Sequence, residues 1–180
     1  DGLGRGVNAD IAHQWYAKAL AAFHKAEEIE PKPYTEYRIG KLYHAGLGTE
    51  QDDEKAARWF APAAGGGNKY AQYSLGGLYY KGNGVVQNYE TAHTLYAESD
   101  QKNFPYASYE LAKMHRDGVG TIKNTAKADE CFQKAFVGFV ALEAQSHDDK
   151  LTGREAAKAP VEPLRSRSGR ACAMEANADK

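Results

Sequence analysis

The chain has 180 residues, 26% of them charged, and a formal net charge of −1. Near-neutrality argues against a general pull on nucleic acid or anionic membrane, and no apolar run approaches the roughly 20 residues of a membrane span. The two cysteines, Cys131 and Cys172, fit neither a disulfide framework nor a CxxC pair. The start, "DGLGRGVNAD", lacks the apolar core of a signal peptide. The cytoplasm is the expected compartment, although a chain that opens in mid-repeat reads as a fragment whose targeting signal lies elsewhere.

The first element in chain order is half a repeat. "GLGRGVNADIAHQWY" (2–16) matches "GLGTEQDDEKAARWF" (46–60) at a spacing of 44, so that Trp15 answers Trp59. Three whole repeats come next, at a spacing of 36. "YTEYRIGKLYHAGLG" begins at Tyr34, "YAQYSLGGLYYKGNG" at Tyr70 and "YASYELAKMHRDGVG" at Tyr106. Each block precedes a second motif: "DDEKAARWF" (52–60), "NYETAHTLY" (88–96) and "NTAKADECF" (124–132). Ala56, Ala92 and Ala128 coincide in that register, as do Phe60, Tyr96 and Phe132. The spacing of 44 places eight extra residues in the first inter-repeat segment. Self-similarity at such a period signifies stacked supersecondary units.

Each unit reads as two helices. Ala71, Leu75 and Leu78 recur at helical spacing, and Gly82 with Gly84 ends the first helix. The pairs Gly46/Gly48 and Gly118/Gly120 do the same in the other units. Glycine supplies positive φ at a helix C-terminus; a nucleotide-binding loop needs a preceding strand that is absent here. Asn68 is the expected N-cap of the middle unit, and Asp52, Asp53 and Glu54 suit the positive end of a helix dipole. Gly40, Gly76 and Ala112 keep one helix position small, which lets two helices approach. Trp59 is expected to fill the space between the helices of the first full repeat.

The pattern LGxLYxxGxG followed by a K-A-x-x-W-F/Y segment resembles the Sel-one-like repeats, relatives of the tetratricopeptide repeats. "IGKLYHAGLGTEQDDEKAARWFAPAA" carries the resemblance most fully, and it extends from residue 2 to about 140. It implies an all-α fold, an α-α superhelix of stacked helix-turn-helix repeats, acting as an adaptor for other proteins. The third repeat departs from the pattern at Ala112, His115 and Cys131. "KYAQYSLGGLYYKG" and "PYASYELAKMHRDGVG…CFQKAFVGF" also look like the repeats attached to bacterial mobilisation relaxases. That resemblance gives an alternative reading, an auxiliary repeat region of such a protein; none of a relaxase's catalytic half is visible.

Residues 126–147 are longer than the other second helices, with an apolar face of Ala128, Cys131, Phe132, Ala135, Phe136, Phe139 and Val140. This reads as a helix that closes the array, or as a docking face. The array is expected to span 1–147 and a disordered, proline-containing tail 148–180.

No catalytic constellation is apparent. The six histidines are scattered without HxxxH or HExxH spacing, there is no GxSxG, and Cys131 lies on an apolar face. No enzyme activity, cofactor or metal is expected, and nothing argues for a homo-oligomer. The candidate site is a surface for a protein or peptide. At 100° per residue, Tyr70, Tyr73, Gly77 and Tyr80 fall opposite the Ala71–Leu75–Leu78–Tyr79 side. Their counterparts are Tyr34, Tyr37, Lys41 and His44 in the first repeat, and Tyr106, Tyr109, Lys113 and Arg116 in the third. First helices line the concave face of the implied solenoid, where partners bind. The row of Tyr34, Tyr70 and Tyr106 is read as surface; whether Tyr37, Tyr73 and Tyr109 are core or surface is left open, and Tyr43 and Tyr79 are assigned to the core. Lys41, His44, Lys113 and Arg116 are expected to favour acidic groups on the partner.

Overall fold

The computed structural model describes residues 8–156, with side chains through residue 145. The described residues form seven helices: α1 (Ala9–Ile29), α2 (Pro33–Ala45), α3 (Asp53–Gly65), α4 (Lys69–Lys81), α5 (Tyr89–Gln101), α6 (Pro105–Asp117) and α7 (Thr125–Ala156). There is no strand among them. From α1 to α6 each helix packs on the next in sequence, α2 on α3 and α4 on α5 most extensively. This is the expected stack of antiparallel hairpins, an α-solenoid.

The turn inside each hairpin is the same structure three times over. The first helix ends at a left-handed glycine: Gly46, Gly82 and Gly118 have φ of 63°, 73° and 74°. The chain then folds back, so that Asp52 N–H donates to Tyr43 O, Asn88 N–H to Tyr79 O and Asn124 N–H to His115 O, at 3.0, 3.0 and 2.8 Å. Asp52, Asn88 and Asn124 in turn cap the next helix, accepting from Lys55, Thr91 and Lys127 N–H at 2.8, 2.9 and 3.0 Å. These side chains satisfy amide groups that a helix start leaves without partners. The second glycine of the turn reaches the neighbouring hairpin. A methyl group at Gly84 would overlap the backbone of Asp53 and Glu54 at the start of α3, so glycine is required there for close approach as well as for its φ of 66°.

Within each hairpin a ring lies over a small residue. A Cβ on Gly40 would stand 2.6 Å from the Phe60 ring, and one on Gly76 would stand 2.9 Å from the Tyr96 ring. Phe60 and Tyr96 are accordingly buried, at 1% and 3% exposure. In the third hairpin Ala112 brings its own methyl group, and Phe132 is only half-buried. Ala56, Ala92 and Ala128 are buried one turn before each ring. The expected Ala71–Leu75–Leu78 side is buried too, while Tyr43 and Tyr79 are half-buried against it.

Two expectations are corrected. Phe60, not Trp59, fills the space between α2 and α3; Trp59 is half-buried against Leu20, Ile39 and Leu42. The eight extra residues of the first segment do not form a connection. They lengthen α1 to 21 residues, against 13 for α3. Asn8 caps α1, accepting from the amides of Asp10 and Ile11, as Asp52 caps α3 in the register of 44. The packing obeys the register of 36. A methyl on Gly48 would strike Tyr16 and Ala17, within one residue of Ala17 and Lys18, the register-36 counterparts of the residues that Gly84 meets. Leu20 is buried where Ala56 is buried, and Phe23 packs on the same cluster as Trp59. Trp15 therefore has no counterpart role to Trp59 and is 66% exposed. Eight residues make about two helical turns, which is why both registers fit one helix.

The last helix also differs from expectation. It runs from Thr125 to Ala156, nine residues past the expected end at 147. The chain divides into two compact units, residues 1–143 and 144–180. Of the expected tail, residues 157–180 lie outside the described residues. Along α7, Ala128 and Ala135 are buried, whereas Phe136 is 68% and Val140 49% exposed. The apolar face is thus wider than the surface α6 covers.

Phe60→Ala is expected to cost about 3–5 kcal/mol, the range for an emptied aromatic core site. Trp15→Ala is expected to stay within about 0.5 kcal/mol, as for a surface change. Denaturant unfolding of the two variants checks both; equal losses would restore the register of 44 for the packing of α1.

Candidate partner-binding face

The tyrosines of the first helices interlock from one hairpin to the next. The Tyr37 ring stacks on Tyr70, centroids 5.6 Å apart, and the Tyr73 ring lies against Tyr106 at 6.2 Å. The inner member of each pair also touches a core ring, Tyr37 on Phe60 at 5.9 Å and Tyr73 on Tyr96 at 5.7 Å. The series ends with Tyr106 edge-on to Phe139 at 4.9 Å and Tyr109 against Phe132 at 5.7 Å. Spacing along one helix set the rows; stacking of helices makes each outer tyrosine the neighbour of the previous repeat's inner one. Tyr34, Tyr70, Tyr106 and Tyr109 remain 58%, 42%, 47% and 44% exposed, and Tyr37, Tyr73 and Tyr80 are half-buried.

Two clefts open on this face. One, of about 280 Å³, is lined by Tyr37, Tyr70, Tyr73, Ser74, Phe104 and Tyr106. The other, of about 380 Å³, includes His44, Tyr73, Ser74, Tyr80, Glu110 and Lys113. Tyr73 and Ser74 belong to both. The structure thus brings together Tyr37, Tyr70, Tyr73 and Tyr106 in the first, and His44, Tyr73, Tyr80 and Lys113 in the second. Tyr34, Lys41, Tyr109 and Arg116 line neither. Tyr34 instead accepts a hydrogen bond from Arg38 at 3.0 Å.

Phe104 is the residue that sequence reasoning missed. It sits at the N-cap position of α6 without a side-chain cap bond, where Asn68 caps α4 by accepting from Tyr70 and Ala71. Its ring contacts Tyr70 and Tyr73, each at 5.2 Å, and Tyr106 at 5.3 Å. The signal was an aromatic residue at a position where the register calls for a capping side chain.

The expected basic flank is largely neutralised from within. His44 Nδ1 lies 2.6 Å from Asp53 Oδ1, Lys113 Nζ 2.7 Å from Glu110 Oε2, and Arg116 Nε 2.8 Å from Asp117 Oδ1. The Glu110 hydrogen bond holds the Lys113 ammonium above its ordinary pKa, and Arg116 is likewise raised by Asp117. Of the four expected cations only Lys41 forms no ion pair among the described residues. Burial, before any charge, pushes the phenols of Tyr37 and Tyr73 up, so both remain protonated donors at neutral pH.

A second titratable cluster lies in the joint between α5 and α6. The rings of His93 and His115 meet edge-on at 5.1 Å, in the places that Ala57 and Tyr79 hold one repeat earlier. His93 Nε2 and His115 Nδ1 are buried without hydrogen-bond partners. Burial lowers both pKa values below the ordinary 6.5; the neighbouring His115 then lowers His93 further, and Lys127 lowers both. The remaining chemistry is sparse. No group of three or more metal-ligating side chains occurs among the described residues, and burial raises the thiol of Cys131.

These features define a helical-repeat protein with an aromatic face on its first helices, and its relatives agree. The Sel1 repeat family matches residues 1–22, 33–68, 69–99 and 105–136, more than half of the chain, and the chain belongs to that family. Sel1-repeat proteins are generally protein-interaction scaffolds and mostly non-enzymatic. Among solved structures, the chain is similar to a protective antigen of uropathogenic Escherichia coli strains displaying an SLR fold, at 28% identity and a TM-score of 0.65, over 68% of this chain and 26% of that one. It is also similar to a Sel1 repeat protein from Oxalobacter formigenes, at 29% identity and a TM-score of 0.60, over 73% of this chain and 56% of that one. Helicobacter pylori cysteine rich protein B shares the fold at 19% identity and a TM-score of 0.50, over 72% and 87%. The chain thus spans about a quarter and about half of the first two. No curated protein matches it. The resemblance to relaxase-attached repeats gains no support from these comparisons. Among the described residues no helix is long and apolar enough to cross a membrane.

The histidine pair gives a pH prediction. Because both folded-state pKa values lie below the ordinary 6.5, the unfolded chain binds more protons at mildly acidic pH. The stability that the neutral pair permits is fully present above about pH 6.5 and falls as pH drops through and below it. The double substitution His93→Ala/His115→Tyr, which copies the preceding repeat, is expected to flatten that fall. Urea midpoints measured between neutral and mildly acidic pH check it.

Proposed function

We propose that the chain is a non-enzymatic scaffold that binds a protein or peptide along the face formed by α2, α4 and α6. The observation that carries this reading is the surplus of aromatic surface there. The cores of the hairpins are closed by Phe60 and Tyr96 over glycine, with Leu75, Leu78, Leu111 and Met114 buried around them. Tyr70 and Tyr106 add nothing to those cores and sit at the mouth of a cleft. Aromatic rings held by their neighbours offer large contact area at low entropic cost, and such anchors dominate protein interfaces. With His44, Lys113 and Arg116 internally paired, the partner is held by ring contact and hydroxyl bonding more than by charge.

Peptides selected from a random display library on the immobilised chain provide the test. Tyr70→Ala/Tyr106→Ala is expected to weaken a selected peptide by about 2 kcal/mol or more, roughly thirtyfold, with the melting temperature nearly unchanged. A folded double variant that binds every selected peptide as before would place the interaction on another surface.

A further inference from the structure

We propose that the first cleft takes a proline-rich segment in the polyproline II conformation, flanked by an acidic residue. This rests on the α2–α4–α6 face being the binding face and names the chemistry it accepts.

The cleft's walls are the first observation. Five of its six lining residues are aromatic, and the sixth is Ser74. Tyr37, Tyr70 and Phe104 are locked by mutual ring contacts, so the cleft is formed before any partner arrives. Preformed aromatic grooves suit polyproline II ligands, which are themselves stiff and lose little entropy on binding. A flexible or helical segment would first have to be ordered.

The polar inventory points the same way. Among the described residues, the hydroxyls of Tyr70, Tyr73, Tyr106 and Ser74 make no hydrogen bond within the protein, and no carboxylate lines the cleft. The surface therefore offers donors. A proline-rich chain has carbonyl acceptors but no N–H at its prolines, so it leaves no buried donor unpaired against such a wall. A β-strand ligand would bring amide donors, and no strand edge is present among the described residues to receive them.

Reach and charge complete the match. The ring pairs Tyr37–Tyr70 and Tyr73–Tyr106 line this one cleft. One turn of polyproline II takes three residues and advances about 9 Å, so a stiff segment of a few turns can lie along both pairs. At the rim, Lys69 Nζ stands 5.5 Å from the Tyr70 ring centroid and 5.9 Å from that of Phe104 without a carboxylate partner among the described residues. It faces the flank of the ligand and selects an Asp or Glu there.

The probe is a fluorescein-labelled peptide of roughly nine prolines, three such turns, with glutamates at one end, titrated with the full chain and read by anisotropy. Saturable binding is expected, at least about tenfold tighter than for a glycine-serine peptide or an alanine-leucine helical peptide with the same glutamates, a difference of about 1.4 kcal/mol. Tyr70→Ala/Tyr106→Ala should abolish the advantage. Tyr70→Phe, which keeps the ring and removes a donor, should weaken binding by a smaller factor, and Lys69→Ala should remove the preference for glutamate over a neutral flank. Circular dichroism melting reports whether each variant is folded. If proline peptides fail to bind while display-selected peptides of another class bind at Tyr70 and Tyr106, this inference is overturned and the binding face stands. If the helical peptide binds more tightly at the same residues, the cleft is a helix groove and the inference is likewise overturned. Failure of every peptide class at this face overturns both.

Discussion

Everything in this array depends on how closely two helices of one hairpin can approach. The glycine at position 40 or 76 removes the one atom that would hold the helices apart, and the Phe60 or Tyr96 ring moves into the space. A ring seated on a backbone leaves little freedom in the crossing of the two helices. The next hairpin then inherits the same geometry through the second glycine of the turn, which lies on the first turn of the preceding second helix. The third hairpin lacks that space. Ala112 replaces glycine, Phe132 stays half-buried, and α7 continues with Phe136 and Val140 exposed.

A fixed hairpin repeated at a fixed interval turns a local sequence feature into a surface. Tyr-x-x-Tyr is only a pair of side chains on one turn of helix. Repeated in stacked first helices, it becomes a chain of rings in which each inner tyrosine supports the outer tyrosine of the next repeat. Inner rings touch core aromatics and lose mobility, and outer rings keep an exposed edge. The question of core or surface for Tyr37, Tyr73 and Tyr109 thus has a mixed answer, since the first two are half-buried and Tyr109 is 44% exposed.

The joints between hairpins are not equivalent. Lys102 Nζ ties α5 back to Gly67 O at 2.6 Å and Gln72 Oε1 at 3.0 Å, and Lys134 Nζ ties α7 to Asp100 Oδ2 at 2.6 Å. The joint around Tyr79 and Ala57 has an apolar contact. The corresponding joint around His115 and His93 has one buried and one half-buried imidazole, each with a buried nitrogen that has no partner. A buried polar group without a partner carries a desolvation cost, so this joint is the one most sensitive to proton concentration.

The sequence alone determined the repeat interval, the seven-helix order up to its ends, the turn glycines, the cap at Asn68 and the acidic helix start at Asp52. Those features are legible because each comes from a local rule: a left-handed turn needs glycine, and a helix start needs an acceptor. It also displayed the aromatic rows, because they lie on single helices. Tertiary structure decided the rest. Trp15 copies Trp59 in sequence but not in packing, since a helix extended by about two turns presents a similar face to the same neighbour from a different stretch. His44, Lys113 and Arg116 carry the expected charges, but acidic neighbours neutralise them. Lys113 and Arg116 are paired by sequence neighbours, Glu110 three residues before and Asp117 one residue after, so that part was open to reading; only the His44–Asp53 contact joins two helices and needed the fold. Phe104 entered the cleft from a connecting position, and α7 ran on to Ala156 where the apolar pattern had faded. Local rules act over one or two turns of chain; what a side chain meets across a helix interface is set by the distance between backbones, which only the folded array fixes.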